Sequence, residues 1–169
     1  MSTSLPHPVA ETQVGIWVTS NSEVIIRDFR IHTHRPKAFV VMQFSTPYNE
    51  LYQEVIAPVC LEYDIEAERG DNIYSQGTII SEIARKIDEA RLVIAEITPS
   101  NPNVYYEVGY SHARAKPTIL IADRKLDRLP FDVSPFRTLY YENSIDGKRR
   151  IEESLRRHIE AIVGRAPHS

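Results

Sequence analysis

Apolar residues in this chain fall into short unbroken runs separated by stretches with helical spacing. Ala38-Phe-Val-Val-Met-Gln-Phe44 and Leu92-Val-Ile-Ala-Glu-Ile97 are nearly continuous, the pattern of strands covered on both faces. Thr118-Ile-Leu-Ile-Ala122 and Phe136-Arg-Thr-Leu-Tyr-Tyr141 extend the series, and a short strand is expected near Asp64–Glu68. Between the strands the period changes. From Pro47 to about Tyr63, Leu51, Val55 and Val59 recur every four residues, with Pro47 suited to a first helical position. Ile80, Ile83, Ala84 and Ile87 predict a second helix with a core-facing stripe, and Ile151, Leu155, Ile159 and Ile162 a final one. A helix from about Pro102 to Ala115 has Asn101 as its expected cap and ends at Lys116-Pro117.

Strands that alternate with helices imply parallel pairing, because parallel neighbours need crossover connections of right-handed sense. The expected fold class is α/β, a doubly wound five-stranded parallel sheet over residues 37–164. Upstream, Val14–Val18 and Val24–Ile31 flank the polar turn Thr19-Ser-Asn-Ser22, which predicts an N-terminal β-hairpin over 13–36, after a flexible tail at 1–12. Ligands of doubly wound sheets bind outside the carboxyl ends of the strands. That rule selects the loops Gln43–Thr46, Arg69–Gln76, Glu96–Asn103 and Ala122–Ser134.

Composition narrows the function classes. The 169 residues suit one domain with a hydrophobic core, and 42% hydrophobic with 25% charged residues is ordinary globular usage. A net charge of -3 gives no global attraction to nucleic acid or to anionic membrane, so neither is an expected partner. No apolar run approaches the roughly 20 residues of a membrane span, and the N-terminus lacks a secretory pattern. Cys60 is the single cysteine, so no intrachain disulfide can form, and its apolar setting predicts an inert packing role. A cytoplasmic location is the resulting expectation.

Glu107 is the first candidate for chemistry. It lies between Val104 and Val108 on almost the same helix face, where a carboxylate is costly to bury without a partner or a task. The structural alternative is a partly exposed glutamate paired with Arg114 or Lys116. Gly109, a poor helix former, would be explained by close approach of backbone or ligand. Glu96, at the end of a buried strand, either contacts a ligand or accepts amide hydrogen bonds that fix its loop. Of Asn101 and Asn103, one is expected to cap the helix and the other to be available to a ligand. The helix start offers a generic anion site, but no glycine-rich phosphate loop of Walker or dinucleotide type occurs. His32 and His34 lack a third ligand at metal-site spacing, and no Gly-x-Ser-x-Gly elbow is present, so neither a metal nor a serine hydrolase is expected.

Phe39-Val-Val-Met-Gln-Phe44, Ala90-Arg-Leu-Val-Ile-Ala-Glu-Ile-Thr98, Asn101-Pro-Asn-Val-Tyr-Tyr-Glu-Val-Gly-Tyr-Ser-His-Ala113, Lys116-Pro-Thr-Ile-Leu-Ile121 and Pro130-Phe-Asp132 together resemble the nucleoside 2-deoxyribosyltransferase-like family. The most specific piece is the Tyr-Glu-Val-Gly-Tyr-Ser-His-Ala helix followed by Lys-Pro and a strand, and the nearest likeness is to bacterial members with the Asn-Pro-Asn-Val element. The resemblance implies a flavodoxin-like fold, cleavage of the N-glycosidic bond of a nucleoside or nucleotide, and a homodimer or larger assembly; no cofactor is expected. The family's catalytic glutamate falls on Glu107. Glu96, Asn101 and Asn103 would shape the sugar and base pocket, Gln43, Phe44 and Ser45 the opposite wall, with Asp71, Glu82 and Asp132 as further contacts. Asn101 stands where the transferases carry an aspartate, which favours hydrolysis or binding over base transfer. Two other readings are a non-catalytic nucleotide-sensing module and a TIR-like NAD glycohydrolase acting in antiviral defence.

Overall fold

The computed structural model describes residues 19–21, 23–26, 35–70, 79–126 and 136–164. The chain divides into two compact units, Met1–Thr33 and His34–Ser169. In the first unit, residues 19–21 and 23–26 carry no strand or helix, and the rest of the expected tail and hairpin lies outside the described residues, as do His32 and His34.

The second unit holds five strands: β1 (Lys37–Val41), β2 (Glu66–Arg69), β3 (Leu92–Glu96), β4 (Thr118–Asp123) and β5 (Thr138–Tyr141). They form one sheet in the order β2-β1-β3-β4-β5, parallel at every pairing. Helix α1 runs through Tyr48–Leu51, a π-helical turn at Tyr52–Ile56 and Ala57–Glu62; α2 is Ile79–Glu89, α3 Pro102–Ala113 and α4 Ile145–Val163. The expected elements of this unit are therefore all present, with the first strand ending at Val41 rather than Phe44.

Side-chain alternation along the strands splits the core into two layers. Ala38, Val40, Leu92, Ile94, Ile119 and Ile121 face one side, where Val55, Ile56, Val59 and Cys60 of α1 and Ile151, Leu155 and Ile159 of α4 cover them. Phe39, Val41, Val93, Ala95, Leu120 and Ala122 face the other, under Ile87 of α2 and Val104 and Val108 of α3. Cys60 is fully buried in the first layer, and burial pushes its thiol up to about 12, as its apolar sequence setting requires. One stripe residue departs from expectation: Ile80 is 63% exposed. It stands in the first described turn of α2, while Ile87, deeper along the helix, is fully buried.

Candidate functional site

From β1 the chain adds β2 on one side and from β3 it adds β4 on the other, so the strand order reverses between β1 and β3 while all strands stay parallel. A crevice outside the carboxyl ends of these two strands is the ligand position of a doubly wound sheet. Its borders are the residues after β1, 42–47, and those after β3, 97–101.

On the β1 side, Gln43 Nε2 donates to Ser45 Oγ at 2.9 Å, bracing the turn, and Phe44 is half-exposed between them. Arg69 at the end of β2 sits over the rings of Phe44 and Tyr52, 5.1 and 4.7 Å from their centroids, and donates to Asn49 Oδ1 at 2.7 Å. This stack ties the Phe44 turn to the neighbouring strand.

On the β3 side, Asn101 caps α3, its Oδ1 accepting from Asn103 N at 3.0 Å, and Pro102 follows at the first helical position. The capping residue is thus Asn101, and Asn103 is exposed. Tyr105 then donates from its hydroxyl to the Ile97 carbonyl at 3.2 Å, pinning the first turns of α3 to the strand end.

Glu107 follows two residues later. Val104, Val108 and Ser111 are buried, and Glu107, three residues beyond the first and four before the last, shares their inward stripe. The residue is partly buried, and its carboxylate has no hydrogen-bond or ion-pair partner among the described residues. Burial alone raises its pKa to about 7. Pairing with Arg114 or Lys116 does not occur: Arg114 Nε binds Asp88 Oδ1 at 2.7 Å, and Lys116 Nζ donates to the carbonyls of Asp88 and Ala90. Gly109 is not explained by close approach of the chain, since a Cβ there would meet no described atom within 4 Å. At about 100° per residue it lies on the opposite side of the helix from Glu107.

Glu96 is fully buried on the α1/α4 face, opposite to the layer that holds α3. Its Oε1 accepts from Thr98 N at 3.1 Å, from Thr98 Oγ1, and from the Tyr141 hydroxyl at 3.2 Å, whereas Oε2 has no partner among the described residues. Thr98 Oγ1 in turn accepts from Asp123 N at 2.6 Å. One carboxyl oxygen therefore joins the β3–α3 loop to the ends of β4 and β5. Burial raises the Glu96 pKa to about 7, and raises that of Tyr141 with the help of the adjacent carboxylate. The two acids do not form a facing pair, because they lie on opposite faces of the sheet. Sequence reasoning missed Thr98, Tyr141 and Asp123. Their convergence depends on β5 pairing with β4, which no local pattern encodes.

Glu82 lies on α2 with its side chain 11% exposed and 3.7 Å from Arg85 Nη2. Asp71 and Asp132 lie outside the described residues. Among the described residues no group of three or more His, Cys, Asp or Glu could hold a metal, and no helix is long and apolar enough to cross a membrane.

No protein-family model and no curated protein matches the chain. Solved structures do share its fold. The TIR domain of the Toll-related receptor TRR-2 from Hydra magnipapillata matches with a TM-score of 0.55 at 12% identity, covering 73% of this chain and 97% of that one. The 2-desoxiribosyltransferase from Leishmania mexicana matches with a TM-score of 0.50 at 12% identity, covering 69% and 95%. The CMP N-glycosidase BcmB from Clostridium botulinum matches at a TM-score of 0.48 and 19% identity, covering 70% and 97%.

Proposed function

We propose that this protein cleaves the N-glycosidic bond of a nucleoside or nucleotide, with Glu107 as the group that meets the anomeric carbon. The observation that carries the proposal is an unpaired, partly buried carboxylate on the inward face of the helix that leaves the β1–β3 switch point. A carboxylate with poor hydration binds a proton tightly for the same reason that it favours any positive charge placed against it. Carbon 1 of the sugar becomes such a charge as the base departs. The C1–N bond breaks with its electron pair leaving on the base, and a Glu107 oxygen either forms a C1–O bond or holds the oxocarbenium ion by charge alone. Water then adds to C1 and its proton passes to the departed base; where a C1–O bond to Glu107 has formed, it breaks with its electron pair returning to the carboxylate. Hydrolysis is preferred to base transfer because Asn101, spent on capping α3, stands where the transferases carry an acid.

The turn of Gln43, Phe44 and Ser45 supplies the opposite wall of the pocket in this account, with the half-exposed Phe44 ring available for a base to stack on. Asn103 at the start of α3 faces the ligand, and Glu96 acts through the loop it holds. Glu82, Asp71 and Asp132 remain proposed contacts, and assembly of the flavodoxin-like domain into a homodimer or larger oligomer is part of the proposal. The fold serves the Leishmania deoxyribosyltransferase, so such chemistry has a precedent on this scaffold.

The test is free-base release, followed by chromatography, from ribo- and deoxyribonucleosides, their 5′-monophosphates and NAD. Release of a nucleobase by the wild type, with a loss of about 10³-fold or more in Glu107→Gln, is expected. Release of nicotinamide alone would select the TIR-like reading, which the fold likeness also supports. Tight binding of one compound without turnover would select the sensing module.

A further inference from the structure

A concave site lies away from Glu107, on the opposite face of the sheet. It is a cavity of about 290 Å³ between the first half of α1 and the start of α4. Pro47, Leu51, Val55, Tyr141 and Ile151 give it an apolar floor, and Glu50, Glu54, Glu142 and Lys148 stand among its lining. The charges do not cancel. Lys148 Nζ is paired with Glu54 at 3.1 Å and Arg124 with Glu142 at 3.1 Å, while Glu50 accepts only the Thr46 hydroxyl, at 3.2 Å, among the described residues. The positive N-terminal end of α4 does not reverse this balance. Ser144 Oγ already accepts from Gly147 N at 3.0 Å, and Asp146 lies in the first turn.

We infer that this cavity is a binding site for a small organic cation, an amine with an apolar body, whose occupancy is felt at the β3–α3 loop. The body would lie on the apolar floor and the ammonium against Glu50, the pairing of an apolar pocket with few charged groups that fixes ligand orientation. Glu54 and Glu142 are offset by Lys148 and Arg124, so the charge left over in the lining is that of Glu50, which an anionic ligand would have to approach. Tyr141 links the site to the rest of the molecule. Its ring is part of the floor, and its hydroxyl donates to Glu96 Oε1, which also accepts from Thr98 N and Oγ1. The same fully buried carboxylate has a second oxygen, Oε2, with no hydrogen-bond partner among the described residues, so the network has capacity to rearrange. Thr98 lies three residues before Asn101, the cap of the helix that carries Glu107.

The inference does not depend on the proposed reaction, because it is tested by binding alone. Isotope-labelled full-length protein is titrated with 2-phenylethylammonium, 2-phenylethanol and 3-phenylpropionate, three probes of similar shape and different charge, and followed by amide resonances. The ammonium should bind at least tenfold more tightly than the carboxylate. Glu50→Gln should remove that preference and Glu50→Lys should reverse it; position 50 is exposed, so neither variant threatens the fold. Saturation with the ammonium should shift the Thr98 amide in the wild type and leave it in place in Tyr141→Phe. Absence of binding, equal binding of the three probes, or a preference unaffected by Glu50→Lys would overturn the site. A Thr98 shift that survives Tyr141→Phe would overturn its link to the loop.

Discussion

Replacing Glu107 by glutamine should make the protein more stable above neutral pH and leave its stability nearly unchanged near pH 4.5. In the fold the carboxyl keeps its proton up to about 7, against 4.5 for the ordinary group, and burial is the only cause. Between those values the folded chain holds a proton that the unfolded chain has released. Stability contributed by the protonated group is therefore fully present below about 4.5 and is lost as pH rises through about 7. At about 1.4 kcal/mol per pKa unit the full shift corresponds to about 3 kcal/mol. Partial exposure of the side chain and solvent screening reduce this to ~1–2 kcal/mol. A neutral amide removes the ionisation cost while keeping the shape. Urea unfolding followed by far-ultraviolet circular dichroism at pH 5, 6, 7 and 8 measures the difference. The variant's midpoint should exceed that of the wild type by roughly 0.5–1 M urea at pH 8, with the gap closing toward pH 5. A variant less stable than the wild type at pH 8, or a gap independent of pH, would refute the reasoning.

Three other outcomes follow from the same contacts. Glu96→Gln keeps the Oε1 acceptor for Thr98 and Tyr141 while removing a buried charge, so it should also gain stability at pH 8, whereas Glu96→Ala should lose ~2–4 kcal/mol by stranding the Tyr141 hydroxyl; urea midpoints separate the two. Asn101→Ala should cost about 1 kcal/mol through loss of the α3 cap, read from the same transitions, with Asn101→Asp retaining it. Cys60 should resist iodoacetamide in the native protein at pH 8 and react on unfolding, because burial pushes its thiol up to about 12; rapid native labelling by mass spectrometry would contradict this.

The three central strands, β1, β3 and β4, were legible because they are buried on both faces. Leu92–Ala95 and Ala38–Val41 announce themselves as unbroken apolar runs, and Leu155 and Ile159 fall on one stripe of a helix as their spacing requires. Asn101 and Pro102 were readable as a helix start because capping is a local interaction. Glu107 was readable as an inward carboxylate for the same reason, since its neighbours on the helix face are fixed by sequence spacing. What its partners are was not readable. Arg114 and Lys116, near it in sequence, turn to Asp88 and Ala90, which lie far from it in the chain. Glu96 repeats the lesson: its position at a strand end was evident, but its link to Tyr141 spans 45 residues and exists only once β4 and β5 pair. The exposure of Ile80 and the open side of Gly109 likewise depend on which elements lie opposite them, and periodicity does not specify that.

The central claim concerns one contact, between the Glu107 carboxylate and a sugar carbon. A crystal structure of Glu107→Gln with a bound nucleoside or nucleotide tests it without the complication of turnover. The account predicts the anomeric carbon within about 3.5 Å of the side-chain oxygen at position 107, with the base toward Phe44. A ligand whose anomeric carbon lies well outside that distance, on a surface remote from α3, would contradict it.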